Sequence, residues 1–102
     1  MFKKIKDMYK LQKQAKGIRK ELKNIHIEAD ADELVHLIIS AEFELVEISL
    51  TEKAALGMKD GTISKADVEA ALKKALNKAL KKAQEISSQK TRDVFQELGI
   101  GA

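Results

Sequence analysis

The segment from Ser64 to about Leu98 constrains the fold of this 102-residue chain more than any other part of the sequence. It contains neither glycine nor proline, and its apolar residues recur at helical spacing, which predicts one long helix. Ser64 is a suitable N-cap with Asp67 in the first turn, and Gly99 is placed to end the helix. The predicted apolar face alternates alanine with larger residues and comprises Val68, Leu72, Ala75, Leu76, Ala79, Leu80, Ala83 and Ile86. Small residues at this spacing allow the helix to lie close against a sheet.

Residues 1–24 are predicted to form a second helix. Apolar residues there are separated alternately by three and four positions, as at positions a and d of a heptad repeat. They comprise Met8, Leu11, Ala15, Ile18, Leu22 and Ile25. The lysines occupy positions that face away from these residues: Lys3, Lys6, Lys10, Lys13, Lys16, Lys20 and Lys23. This helix is therefore predicted to have a narrow apolar seam and a basic outer face.

Between the two helices the apolar spacing becomes that of strands. Ile25 to Ala31 alternates apolar and polar residues, and Leu34 to Ile39 is a nearly continuous apolar run rich in β-branched residues. Phe43 to Leu50 is the third segment predicted to form a strand. Residues 25–50 are therefore predicted to form a three-stranded antiparallel meander.

Residues 51–63 are predicted to be a loop that connects the sheet to the long helix. This loop could include one helical turn closed by Gly57, followed by an Asp-Gly turn. The fold class is thus α+β, with the order α-β-β-β-α in a single domain over residues 1–102: helix 1–24, meander 25–50, loop 51–63 and helix 64–98.

The predicted helices are too long for the predicted sheet. A helix of about 23 residues is roughly 35 Å long and the second is longer, whereas strands of about eight residues reach roughly 27 Å and three span about 14 Å across. Overhanging apolar surface would stay in water, and its burial is worth about 25 cal/mol per Å². We therefore expect a homodimer whose seam consists of Met8, Leu11, Ala15, Ile18 and Leu22. The alternative is that the first helix folds back on the second within one chain.

The composition excludes several classes of functional site. Without cysteine the chain forms neither a disulfide nor a thiolate metal site. His26 and His36 lie in predicted strands near carboxylates, but neither belongs to a metal-ligand motif. There is no phosphate-binding glycine loop and no nucleophile elbow. We therefore expect no enzyme activity, no metal, no cofactor and no small-molecule substrate.

The N-terminal segment is basic but is not followed by an apolar stretch, so we expect no signal peptide and a cytoplasmic location. No unbroken apolar run approaches the roughly 18 residues that a membrane-spanning helix needs. A membrane surface would be a competing polyanionic partner, but the seam is narrow and lacks tryptophan. We therefore expect no membrane association.

The net charge of +3 conceals a strong separation of charge along the chain. Residues 1–24 carry nine basic and two acidic side chains, residues 25–61 carry two and nine, and residues 62–102 carry eight and five. The three segments therefore have net charges of +7, −7 and +3. Such asymmetry concerns binding partners more than the fold.

Lysines with few arginines and few aromatic residues suit contact with phosphates, whereas base reading uses arginine and base stacking uses aromatic rings. We therefore predict a homodimer that binds duplex DNA with little sequence preference. The predicted DNA-binding residues are Lys3, Lys6, Lys10, Lys13, Lys16, Lys20, Lys23, Lys73, Lys74, Lys78, Lys81 and Lys82; Lys90 and Arg92 extend the basic group of the second helix. One alternative is a structural adaptor that pairs its helices with another protein and uses its charge only for solubility. RNA binding is a third possibility.

Several segments carry a resemblance to a known family. They are MFKKIKDMYKLQKQAK at the start, Val35 to Ile39, Val46 to Ile48, and ALKKALNKALKKAQE at residues 71–85, which includes Ala75-Leu76-Asn77 and Ala79. Together with the order of elements, they resemble the bacterial YbaB/EbfC nucleoid-associated family over nearly the whole chain.

The resemblance implies a homodimer shaped like tweezers, with paired sheets and projecting helices. It also implies association with the nucleoid, where the protein would organise or protect DNA or modulate expression. At two turns the chain departs from the family: the glycine-rich turn between the first two strands is Asp30 to Glu33 here, and the Asn-Gly turn after the second strand is Ser40-Ala41. Asn77 matches a family position, and we expect it to have a structural role at the contact between helix and sheet.

Overall fold

The computed structural model describes the backbone of residues 2–97 and 99 and the side chains of residues 12–97. In this part of the chain three helices and three strands follow one another: α1 (Phe2–Lys23), β1 (His26–Ala31), β2 (Val35–Ser40), β3 (Leu45–Leu50), α2 (Glu52–Asp60) and α3 (Lys65–Glu97). The strands form one antiparallel sheet in the order β1-β2-β3. The predicted α+β class and the predicted meander are confirmed.

The sheet has one face that is buried over β1 and β2. Ile27 lies opposite Ile39, and Ala29 lies opposite Leu37. These residues are buried, together with Ala31 and Val35, as the alternation in the sequence predicts for one face.

The two turns of the meander shift the strand ends slightly from their predicted positions. Asp32 and Glu33 both have positive φ, 55° and 57°, and the Leu34 amide donates to the Ala31 carbonyl over 3.0 Å. Two consecutive positive φ angles are typical of a type I′ hairpin turn, so Leu34 closes the turn and β2 begins one residue later. In the second turn Phe43 has φ 66°, and β3 begins at Leu45 instead of Phe43.

Helix α3 lies against β1 and β2 through a row of alanines. Ala71, Ala75, Ala79 and Ala83 are each at most 1% exposed. The predicted alanine-rich face is thus confirmed, except that Leu76 is 39% exposed. The small side chains let the helix axis approach the sheet closely.

The start of α3 is fixed by a reciprocal pair of hydrogen bonds between Ser64 and Asp67. The Ser64 hydroxyl accepts from the Asp67 amide over 3.1 Å, and the Asp67 carboxylate accepts from the Ser64 amide over 2.9 Å. This is a capping box with aspartate at the third helical position. It confirms Ser64 as the N-cap, and the two hydrogen bonds lower the pKa of Asp67.

Residues 51–63 correct the prediction of a loop, because most of this segment is helix α2. Thr51 caps the helix by accepting a hydrogen bond from the Ala54 amide over 3.1 Å, and Gly61 ends it with φ 84°. Gly57 is buried inside the helix and does not terminate it. A side chain at position 57 would overlap Ile63. The glycine is therefore explained by close packing and not by helix termination.

The chain is much more extended than a compact domain of its length. Its dimensions are 70 × 22 × 16 Å and its radius of gyration is 19.5 Å, compared with about 13 Å for a compact chain of 100 residues. At 33 residues, α3 is roughly 50 Å long and extends well beyond six-residue strands of roughly 20 Å. The predicted overhang of the long helix is present.

Helix α1 packs along the overhanging end of α3. Glu21 forms an ion pair with Lys90 over 3.1 Å, whereas Lys13 shares a polar cleft with Glu97, so the two helices run antiparallel. We call this paired region, residues 12–23 and 86–97, the arm. Within the described side chains, α1 therefore folds back on α3, which is the alternative arrangement considered from the sequence.

Candidate nucleic-acid interface

The outer face of α1 presents lysines to solvent. Gln14, Ile18 and Leu22 are half-buried or buried and mark the side of the helix that faces the chain. Lys16, Lys20 and Lys23 lie on the opposite side by helical spacing. All three are exposed, as is Lys13.

None of these four lysines forms an ion pair with an acidic side chain that the structure describes. The predicted contacts Lys3, Lys6 and Lys10 are on helical backbone, but their side chains lie outside the described residues. The described part of the basic outer face therefore consists of Lys13, Lys16, Lys20 and Lys23.

Helix α3 divides its predicted DNA-binding lysines between two sides. Lys74 and Lys78 are four residues apart, and Lys81 and Lys82 follow Lys78 by three and four residues, so these four lysines share one side, whereas Lys73 lies on the other. All five are exposed. Arg92 continues the first side toward the end of the arm and shares a shallow hollow with Lys81.

Two of the lysines on α3 contact the end of β1 and the turn that follows it. The Lys74 amine lies 3.0 Å from the Asp32 carboxylate, and the Lys78 amine donates to the Asp30 carbonyl over 3.4 Å. Lys73, Lys81 and Lys82 form no ion pair with any described acidic side chain. The structure thus brings two of the five lysines to an acidic turn, which the sequence did not indicate.

The outer face of the sheet is acidic and has His36 near its centre. His36 Nδ1 lies 2.5 Å from Asp30 Oδ1 on the neighbouring strand, and its Nε2 lies 3.9 Å from Glu28 Oε1. The hydrogen bond to Asp30 raises the pKa of His36, and the charges of Asp30, Glu28 and Glu47 act in the same direction. Among the described residues, no group of three potential ligands is placed to hold a metal ion. This face would repel a polyanion.

Strand β3 leaves its inner side uncovered. Leu45, Ile48 and Leu50 lie opposite buried residues of β2, yet they are 56%, 47% and 47% exposed. We call these three residues the β3 patch. Further exposed apolar side chains precede β3 and follow on α2: Phe43, Leu56 and Met58. The sequence predicted a strand here but did not indicate that one side of it lacks a cover.

The predicted dimer seam lies partly inside the chain. Leu22 is 5% exposed and belongs to the core, and Ile18 packs against that core. Ala15 lines a cavity of about 590 Å³ between α1, the turn after β2 and α3, together with Val94 and Phe95. The side chains of Met8 and Leu11 lie outside the described residues.

None of the described helices combines the length and the apolar character needed to cross a membrane.

The chain was also compared with known proteins. The model of the YbaB/EbfC DNA-binding family matches residues 1–98 of the chain. No curated protein matches the chain.

Proposed function

Since the chain belongs to the YbaB/EbfC DNA-binding family, we propose that it binds duplex DNA as a homodimer, mainly through phosphate contacts and with little sequence specificity. In the bacterial cytoplasm it would associate with the nucleoid and organise or protect DNA or modulate expression. Membership of a DNA-binding family also suggests a protein that is not an enzyme. The observation that carries the proposal is the outer face of α1, where Lys16, Lys20 and Lys23 have no described acidic partner.

The spacing of these lysines supports phosphate binding. Lys16 and Lys20 are four residues apart, and Lys20 and Lys23 are three apart, so their charges repel on one helical face. DNA phosphates would relieve that repulsion while releasing counterions. Lysine acts as a flexible point charge that meets phosphate without reading a base edge. This face of α1 therefore suits DNA binding that depends little on the base sequence.

The β3 patch supports the proposed homodimer. Completely burying a leucine or isoleucine side chain is worth roughly 1.5–3 kcal/mol, and Leu45, Ile48 and Leu50 are each about half exposed. A second copy related by a two-fold axis would cover the same patch on both chains. Because Leu22 belongs to the chain's own core and Ile18 packs against it, the seam residues left for a partner helix are Met8, Leu11 and Ala15.

The proposal is tested by the affinity of the full chain for a labelled duplex, measured by fluorescence anisotropy between about 50 and 200 mM salt. Replacing Lys16, Lys20 and Lys23 together with glutamine should weaken binding and reduce the slope of log K against log salt by roughly 0.9 for each phosphate that is no longer neutralised. The matched control replaces three lysines elsewhere with glutamine and so removes the same amount of charge: Lys53 and Lys59 of α2 and Lys65 at the start of α3.

Equal losses in the two triple variants would show an effect of net charge alone and contradict the proposed face. Unchanged affinity in both would favour the structural adaptor, for which the exposed apolar residues of β3 and α2 provide a surface. A duplex RNA competitor that displaces DNA at a lower concentration than unlabelled DNA does would assign the function to RNA.

A further inference from the structure

The acidic residues of the turn between β1 and β2 form ion pairs with lysines of the same chain. Both carboxylates of the turn have a partner among the described residues: Asp32 contacts Lys74 at 3.0 Å, and Glu33 contacts Lys53 at 2.9 Å. Asp30, near the end of β1, contacts His36. Lys78 donates to the Asp30 carbonyl over 3.4 Å. The Asp30 side chain lies on the exposed side of β1, away from the buried side that faces α3.

The pair between Lys74 and Asp32 joins residues 42 positions apart and links α3 to the turn. Its side chains are 57% and 46% exposed, so solvent and ions reach both partners. An exposed ion pair of this kind is weak and exchangeable. A phosphate could therefore replace Asp32 only by competing with it for the same amine.

We propose that Asp32 competes with DNA phosphate for Lys74, so that the turn acts as an internal competitor and limits DNA contact on α3 to basic residues away from it. This inference rests on the proposed DNA binding and specifies how one part of the basic surface is regulated. The basic residues of α3 that remain available are Lys73, Lys81, Lys82 and Arg92. Lys74 contributes little to affinity while Asp32 is ionised.

A double-mutant cycle in the full chain tests the competition. The wild type, Asp32→Asn, Lys74→Gln and the double variant are compared for binding to a labelled duplex by anisotropy over the same salt range. Asp32→Asn should tighten binding roughly twofold to fivefold, the range that exposed ion pairs span. It should also steepen the salt slope by roughly 0.9 for each additional phosphate that is neutralised. Lys74→Gln alone should change affinity by less than about twofold, and the double variant should bind no more tightly than Lys74→Gln.

Glu44→Gln is the matched control for loss of one negative charge. Glu44 is exposed in the turn between β2 and β3, at the opposite end of β2 from Asp32, and forms no ion pair with a described cation. An increase in affinity in Glu44→Gln equal to that in Asp32→Asn would overturn the inference, because net charge would then explain both. An increase that persists in the double variant would overturn it as well.

The outcomes separate this inference from the proposed function. A wild type that binds DNA, combined with an Asp32→Asn variant of equal affinity, overturns the competition alone. A wild type and variants that all fail to bind at low salt overturn both. Acetylation rates measured by mass spectrometry test the ion pair without DNA: the Lys74 amine should react more slowly than that of Lys73 in the wild type, and the difference should vanish in Asp32→Asn. Equal rates in the wild type would overturn the inference.

Discussion

Gly57 packs directly against the side chain of Ile63. A Cβ at position 57 would overlap the Cδ1 and Cγ1 atoms of Ile63, and the Ile63 amide donates to the Gly57 carbonyl over 3.0 Å. The contact folds the end of α2 onto the segment that leads into α3. Gly57→Ala should therefore lower the free energy of unfolding by about 1–3 kcal/mol, as overpacking of a close contact does. Urea unfolding followed by circular dichroism measures the change.

Gly17→Ala is the matched control. Gly17 lies within α1, and a Cβ there would meet no described atom within 4 Å. Replacing an unstrained glycine in a helix with alanine should stabilise the fold by roughly 0.5–1 kcal/mol. If the two substitutions change stability in the same direction, the contact with Ile63 does not explain Gly57.

The capping box of α3 predicts both a loss of stability and a dependence on pH. Ser64→Ala removes the acceptor for the Asp67 amide and should cost about 1 kcal/mol of unfolding free energy. The pKa of Asp67 is lowered by its hydrogen bonds to Ser64, so its stabilisation is present above the ordinary pKa of 3.8 and is lost as the pH falls through the folded value.

Asp67→Asn should therefore be destabilising at neutral pH and should converge with the wild type in acid. Urea unfolding at several pH values measures the difference between the two proteins. A difference that does not change with pH would contradict a role for the Asp67 carboxylate in the cap.

The helix boundaries were predictable where capping residues are local in sequence. Ser64 was indicated as the N-cap of α3 by residue type alone, with Asp67 in the first turn. The reciprocal hydrogen bond from the Ser64 amide to the Asp67 carboxylate was not predicted. Helix α2 was missed because Gly57 was interpreted as a helix end, whereas its real partner, Ile63, only becomes a neighbour once the helix has formed. Gly61 is the residue that ends α2.

The contacts of the candidate site were less predictable than its residues. Residue spacing indicates which lysines share a face of α3, but the partner of Lys74 is Asp32, 42 positions earlier. Alternation likewise predicts that Ile48 and Leu50 point to one side of the sheet. It does not predict whether another element covers that side, because cover depends on where α3 crosses the sheet.

His36 and Asp30 predict a second dependence on pH. The hydrogen bond to Asp30 raises the pKa of His36 above its ordinary value of 6.5. The contribution of protonated His36 to the free energy of unfolding is therefore fully present below about pH 6.5, and it is lost as the pH rises through the pKa of His36 in the folded state. His36→Gln should destabilise the protein more at about pH 5.5 than at about pH 8.5.

An NMR titration of the His36 ring separates the contributions of its neighbours. Asp30→Asn should lower the pKa of His36 substantially, because the hydrogen bond to Asp30 is the main cause of the shift. Glu47→Gln, which removes a more distant charge, should lower it less. Equal effects would assign the shift to the general acidity of the sheet face and not to Asp30.

The β3 patch predicts the effect of one charge on assembly. Ile48 lies opposite buried Leu37 but is 47% exposed, so in the proposed homodimer it would be buried against the second copy. Ile48→Glu would place a carboxylate in that contact and should convert a dimer of the 11.4 kDa chain to a monomer at low micromolar concentration. Ser49→Glu, one residue later on the acidic outer face, should leave the mass unchanged. Light scattering measures the masses of the wild type and the two variants. A monomeric wild type, or an Ile48→Glu variant that remains a dimer, would contradict pairing through β3.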